Sequence, residues 1–157
     1  MGRFAIVLPI DPLAAGDSFP VSSWPLHVTV VEPFDTRHDA ERVGDLMGPV
    51  LHGRLAIDVS AFDRAMFGRR RDVPVTLVSD DGPLGAMRTR LLDALREGDV
   101  DVAHARLDFR PHVTDTAHGT MPTGRTVRLR QVALVDLRPP EGRAMRTVAA
   151  VWPLDEA

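Results

Sequence analysis

Two periodicities divide this chain. Strands are read over 3–9, 26–32, 54–63, 73–79, 108–115, 126–138 and 143–152, with apolar and polar positions alternating in 26–32, 54–63 and 108–115. The period shifts to that of a helix over 37–48, where Val43, Leu46, Met47, Val50 and Leu51 form one stripe. It does so again over 83–97, where Leu84, Met87, Leu91 and Leu95 form another. Thr36 is placed to cap the first helix, and Gly48-Pro49 is expected to end or kink it. Pro83 opens the second helix and Gly98 closes it. Residues 10–25, with Pro12, Gly16, Pro20 and Pro25, read as a loop. Pro139-Pro140-Glu141-Gly142 reads as the turn of a closing hairpin.

The order of elements repeats once. A strand containing His27 precedes a helix and two strands; the second helix precedes a strand containing His112 and two more. The two histidines lie about half a chain apart. This pattern predicts a single α+β domain over 1–157, made of two similar lobes that face each other across a cleft.

Candidate chemistry sits on the two corresponding strands. His27-Val28-Thr29 and His112-Val113-Thr114 each place a histidine two residues before a threonine. Residues i and i+2 of a strand point to the same face, so each pair sets a proton-transfer group beside a hydroxyl donor. The spacing by itself carries little weight. With six histidines and fifteen serines and threonines in 157 residues, chance supplies about 0.6 such matches. Three are present, and the third, His118-Gly119-Thr120, has a glycine at its centre and lies in a loop-like run. The context of the other two differs, because Leu26, Val28 and Val30 form an apolar face behind the first pair, and Phe109, Pro111 and Val113 do so behind the second.

Those residues resemble the 2H phosphoesterase superfamily, and within it the bacterial 2′-5′ RNA ligase-like branch. The resemblance rests on Trp24-Pro25-Leu26-His27-Val28-Thr29-Val30-Val31-Glu32-Pro33-Phe34 and on Phe109-Arg110-Pro111-His112-Val113-Thr114, and spans nearly the whole chain. It implies a bilobal, pseudo-symmetric α+β fold with two antiparallel sheets lining a central cleft and helices outside. It also implies cleavage of cyclic or 2′-5′ phosphodiesters without a metal or other cofactor. His27, Thr29, His112 and Thr114 would be the catalytic set. An apolar residue usually follows the Thr in this family; Val30 conforms and Asp115 does not, so the second strand is expected to end at Asp115.

Substrate contacts are expected from Arg110, on the face of His112, from Arg70 in the Arg69-Arg70-Arg71 run, and from Trp24 and Phe34 as platforms for a base. The expected substrate is an RNA end or a small cyclic nucleotide carrying a 2′,3′-cyclic phosphate or a 2′-5′ bond. A signalling cyclic oligonucleotide, or an inactive module that binds nucleotides or RNA ends, are the alternatives. The net charge of −3 disfavours a partner such as a long nucleic-acid duplex. The absence of cysteine removes disulfides and thiolate metal sites. No apolar run reaches the ~20 residues of a membrane helix, and the first residues do not read as a signal peptide. A cytoplasmic monomer without membrane contact is expected.

Overall fold

Side chains that alternate along β1 (Gly2–Pro9) divide the molecule into two faces. Phe4, Ile6 and Leu8 enter the main core, whereas Ala5 and Val7 enter a smaller second cluster on the other side. The computed structural model describes residues 1–156. After β1 come β2 (Ser18–Pro20), β3 (His27–Thr36), helix α1 (Ala40–Leu51), β4 (Ile57–Phe67) and β5 (Val73–Ser79). Helix α2 (Pro83–Glu97), β6 (His112–Thr114), β7 (Thr126–Leu129), β8 (Gln131–Asp136) and β9 (Met145–Pro153) complete the chain.

The strands form one antiparallel sheet in the order β2-β9-β8-β1-β3-β6-β5-β4-β7. This differs from the two separate sheets expected. The halves β2-β9-β8-β1-β3 and β6-β5-β4-β7 join through one residue pair, Val28 with Val113. The stretch 126–138 is likewise not the single strand its alternation predicts. It breaks at Arg130, so that β7 pairs with β4 in one half and β8 pairs with β1 and β9 in the other. Two consecutive polar residues, Arg130 and Gln131, interrupt the alternation at the break, but they do not say that the two pieces pair with different partners.

Local chemistry explains the other departures. Asp39, not Thr36, caps α1, its carboxylate accepting from the Arg42 N–H at 2.9 Å. Thr36 ends β3, and its hydroxyl accepts from the His38 N–H. Pro49 does not stop α1. It lies in the last turn and forgoes its own N–H bond, yet the helix runs on to Leu51, which is buried. Residues 10–25 contain β2 and a short 3₁₀ turn, Val21–Ser23. Of the stretch 108–115, only His112–Thr114 pairs as strand. The strand ends at Thr114, and the Asp115 carboxylate takes two hydrogen bonds from Arg64, at 2.7 and 2.8 Å.

Both helices cover the face carrying Phe4, Ile6, Val28, Val30 and Val113. The α2 stripe is buried as the period predicted, with one surprise: Arg88 lies within it, 5% exposed. Strand β3 departs from regular pairing twice, between its contacts to Val7 and Ile6 and between those to Ile6 and Phe4. The extra residues lie on β3, so Val30 and Val31 are both buried, and Glu32 and Pro33 are displaced toward the cavity described below. No helix among the described residues is long and apolar enough to cross a membrane.

Candidate active site

The site is built on the residue pair that joins β3 to β6. Val28 and Val113 are wholly buried on the helix side. Their neighbours in sequence therefore point to the opposite face. Extending the antiparallel register by one residue each way sets His27 opposite Thr114 and Thr29 opposite His112. Each histidine thus stands across from the threonine of the other motif. Diagonal neighbours on such a ladder lie about 7–8 Å apart at their Cα positions, which is the relation of His27 to His112. Neighbouring pairs agree on the face. Val7 is paired with Thr29, and Leu77 and Val75 are paired with His112 and Thr114.

The two imidazoles are anchored alike. His27 Nδ1 lies 2.8 Å from the Pro25 carbonyl oxygen, and His112 Nδ1 lies 2.8 Å from the Arg110 carbonyl oxygen. A carbonyl only accepts, so Nδ1 carries the hydrogen in both rings. That leaves each Nε2 with its lone pair available when the ring is neutral. An aromatic ring packs on each. Trp24 stacks on His27 at 4.3 Å between centroids, and Phe67 meets His112 edge-on at 4.6 Å.

Burial lowers the pKa of both rings. His27 is pushed down to about 4, chiefly by desolvation and further by the nearby His112; its bond to Pro25 works in the opposite direction. His112 is lowered too, by desolvation first and then by the charges of Arg106 and Arg110. Both are therefore neutral near pH 7 in the unliganded protein. A bound phosphate anion would raise both, because opposite charge favours the protonated form.

Thr29 and His112 line a cavity of about 240 Å³ together with Phe67, Phe109, Arg106 and Arg110. The Arg110 guanidinium lies over the Phe67 ring at 5.0 Å. Among the expected substrate contacts, Arg110 thus borders the cavity. Arg70 does not: it sits at the exposed tip between β4 and β5, beside a tight turn in which the Arg71 N–H donates to the Gly68 carbonyl. Phe34 must be corrected outright. It is wholly buried in the core, 6.2 Å from Phe4, and has no free ring face for a base. The bulges of β3 shift its phase between Thr29 and Phe34, an irregularity that adjacency in sequence conceals. Trp24 has one side of its ring against His27 and lies within 5.7 Å of the Arg146 guanidinium. Its place is to support His27 and not to line the cavity.

His118 differs from the other two histidines. It lies in a turn closed by Thr116 and Gly119, and its Nε2 donates to the Ser23 carbonyl at 2.8 Å. His38 and His104 likewise bond main-chain carbonyls, those of Gly98 and Pro33. Among the described residues, no three His, Asp or Glu side chains gather where they could hold a metal ion.

Two important residues escaped sequence reasoning. Phe67 shares a face with Ala65 by the period of β4, and Ala65 pairs with Val75 on the histidine side. The alternation marks a strand only over 54–63; β4 runs on to Phe67, and an irregularity between Ala61 and Asp63 resets its phase, so the face of Phe67 was not legible. Arg88 donates to the Val30 carbonyl at 2.9 Å, to Glu32 Oε1 at 2.6 Å and to the Arg106 carbonyl at 2.8 Å. Its guanidinium also lies 4.8 Å from the Phe109 ring, and Glu32 Oε2 accepts from the Arg106 N–H at 3.1 Å. Arg88 thereby ties the segment leading to His112 onto β3. Arg88 bonding holds the Glu32 carboxyl below its usual range against the opposing effect of burial. The signal was a charge within an apolar helical stripe, which calls for a buried partner.

An antiparallel α+β fold with one His-x-Thr pair in each half of its sheet is the arrangement of a 2H phosphoesterase. The chain belongs to the 2′-5′ RNA ligase superfamily, whose family model matches residues 5–137. Solved structures of similar fold include a phosphoesterase with a TM-score of 0.65 and 18% identity, covering 99% of this chain and 100% of the other. LigT of E. coli complexed with 3′-AMP gives a TM-score of 0.64 and 19% identity, covering 99% of each chain. TT0787 of Thermus thermophilus gives 0.55 and 19%, also covering 99% of each. The comparison with curated proteins found no match.

Proposed function

We propose that this protein hydrolyses a 2′,3′-cyclic phosphate or a 2′-5′ phosphodiester on an RNA end or small nucleotide, by acid–base catalysis between His27 and His112 without a metal. The observation that carries this reading is the crossed placement of two identically anchored His/Thr pairs about the Val28–Val113 contact. In-line displacement at phosphorus puts the attacking and leaving oxygens on opposite sides. One imidazole Nε2 takes the proton of water as its oxygen bonds to phosphorus. The other gives its proton to the departing sugar oxygen as that P–O bond breaks, leaving a phosphomonoester. Thr29 and Thr114 donate to the non-bridging oxygens, where charge accumulates. Run in reverse, the same steps form a bond.

The difference in burial supports one division of roles. His27, the more strongly depressed, stays unprotonated and serves as base; His112, the more accessible to a bound phosphate and to solvent, carries the acid proton. Phe67 and Arg110 offer a flat platform for a base beside the reacting phosphate. Support for a small ligand comes from the modest cavity and from LigT, whose structures include complexes with 3′-AMP, NADP+, ATP and phosphate.

A panel of 2′,3′-cyclic mononucleotides tests this reading, each assayed with and without EDTA. Turnover to a monoester, unaffected by chelation, is expected. Absence of hydrolysis across the panel and on 2′-5′-linked dinucleotides would leave only a binding module. Loss on chelation with recovery on adding a divalent ion would replace the two-histidine mechanism.

The pH profile follows from the depressed pKa values. kcat/KM reports the free enzyme. Activity should fall below about pH 4 as His27 takes up a proton. It should also fall as pH rises through the lowered pKa of His112, hence from below its ordinary value of 6.5. The expected result is a bell with its maximum on the acid side of 6.5. A maximum above about pH 7.5 would contradict the burial argument.

A further inference from the structure

A second cationic hollow lies on the histidine-bearing face, away from the cavity between the motifs. Arg3, Arg138, Arg143 and Arg146 surround a space of about 220 Å³ floored by Leu137. Arg3 shares a face with Ala5 and Val7 on β1, and Val7 pairs with Thr29. Arg146 shares a face with Val148, which pairs with Val135 and through it with Ala5. Arg3 and Val7 are four steps apart along β1, about 13 Å at strand rise. Arg146 also approaches the motif through Trp24, whose ring lies 5.7 Å from its guanidinium carbon and is stacked on His27.

The charge of this hollow is poorly balanced. Asp35 is the one carboxylate that pairs with these arginines among the described residues, shared between Arg3 at 3.2 Å and Arg138 at 3.5 Å. Arg143 and Arg146 pair with no acid there. One nitrogen of Arg146 is spent on the main-chain carbonyls of Leu137, Arg143 and Met145, and its Nε is buried without a partner. Burial, and after it the charge of Arg3, act against the Arg146 cation. Four guanidinium groups converging on a hollow with a single carboxylate suit a multivalent oxyanion, because each fork can donate paired hydrogen bonds to phosphate oxygens.

We infer that Arg3, Arg138, Arg143 and Arg146 form a second phosphate-binding subsite, set along the sheet from the histidines and suited to a pyrophosphate or a further phosphodiester. The phosphate belongs either to the substrate itself, reaching along the face from the reacting centre, or to a free anion. Only the first source rests on the phosphodiesterase reading.

Isothermal titration of the full protein with pyrophosphate tests the subsite directly. Two substitutions move it in opposite directions. Arg143→Glu changes an exposed side chain without an ion pair and should weaken binding about tenfold or more. Asp35→Asn removes the competing carboxylate and should tighten binding. Identical titrations for all three proteins, or no detectable binding by any, would overturn the inference. A second measurement decides the source. If the phosphate is the substrate's own, a 2′,3′-cyclic nucleotide bearing a 5′-diphosphate has a lower KM than the same nucleotide with a free 5′-hydroxyl, and Arg143→Glu abolishes that advantage. Equal KM values, with titrations still sensitive to both substitutions, assign the subsite to a free anion. Failure to turn over either nucleotide would defeat the phosphodiesterase reading and leave the pyrophosphate titrations to decide the subsite alone.

Discussion

Alanine at His27 or at His112 should each lower turnover of a 2′,3′-cyclic mononucleotide by about 10²–10⁴-fold, the usual worth of a positioned acid or base. The two rings are expected to work as a pair on one phosphorus, so the double variant should lose less than the product of the single losses. Thr29→Ala and Thr114→Ala should be milder, at about 10²–10³-fold, because each removes one donor to the developing charge. Steady-state rates for the set, with circular dichroism to verify folding, make the comparison. His118→Ala is the internal control. It matches the same bare pattern, yet its ring is occupied with the Ser23 carbonyl in an exposed turn, and its loss should leave turnover nearly unchanged. Equal damage at His118 and His112 would show that strand context does not separate these motifs.

Arg88→Ala should destabilise the fold by about 3–5 kcal/mol, the range for removing one partner of a buried ion pair. The loss has several parts. Glu32 keeps its charge in a half-buried position, and the carbonyls of Val30 and Arg106 lose their donor. The segment carrying Arg106, Phe109 and Arg110 is then no longer tied to β3. Urea unfolding should show the drop, and KM should rise with it because that segment forms one wall of the cavity. Arg88→Lys should not restore stability, since one ammonium cannot reach the Val30 carbonyl, Glu32 and the Arg106 carbonyl at once. A loss below about 1 kcal/mol in Arg88→Ala, typical of an exposed pair, would show that the Arg88 network is not what holds this wall.

The enzyme reading depends on a register that links residues more than eighty positions apart. Val28 and Val113 form a single bridge. A shift of one residue would turn Thr29 or His112 to the helix side and destroy the site. Both valines are wholly buried, so such a slip would expose apolar side chains and bury imidazole. The same alternation that creates the chemical face thus protects its alignment.

Local order determined a good part of this protein. The two-residue period placed His27 beside Thr29 and His112 beside Thr114 on faces opposite the valines, because strand geometry leaves no other choice. The helical stripe and its terminal Pro83 and Gly98 defined α2, whose signals agree with one another. The end of β6 near Asp115 was also legible, since a carboxylate there would enter an apolar face unpaired. Other features were decided by contacts between distant segments. The join of both halves into one sheet, the break at Arg130 and the bulges that bury Phe34 depend on which strands meet, and alternation does not specify partners. Phe67 beside His112 and Arg88 beneath Arg106 arise the same way, from elements 45 and 18 residues away in sequence. A side chain's face follows from its own neighbours in the chain; its depth and partners follow from long-range packing, and those determined the wall, the support and the electrostatics of the site.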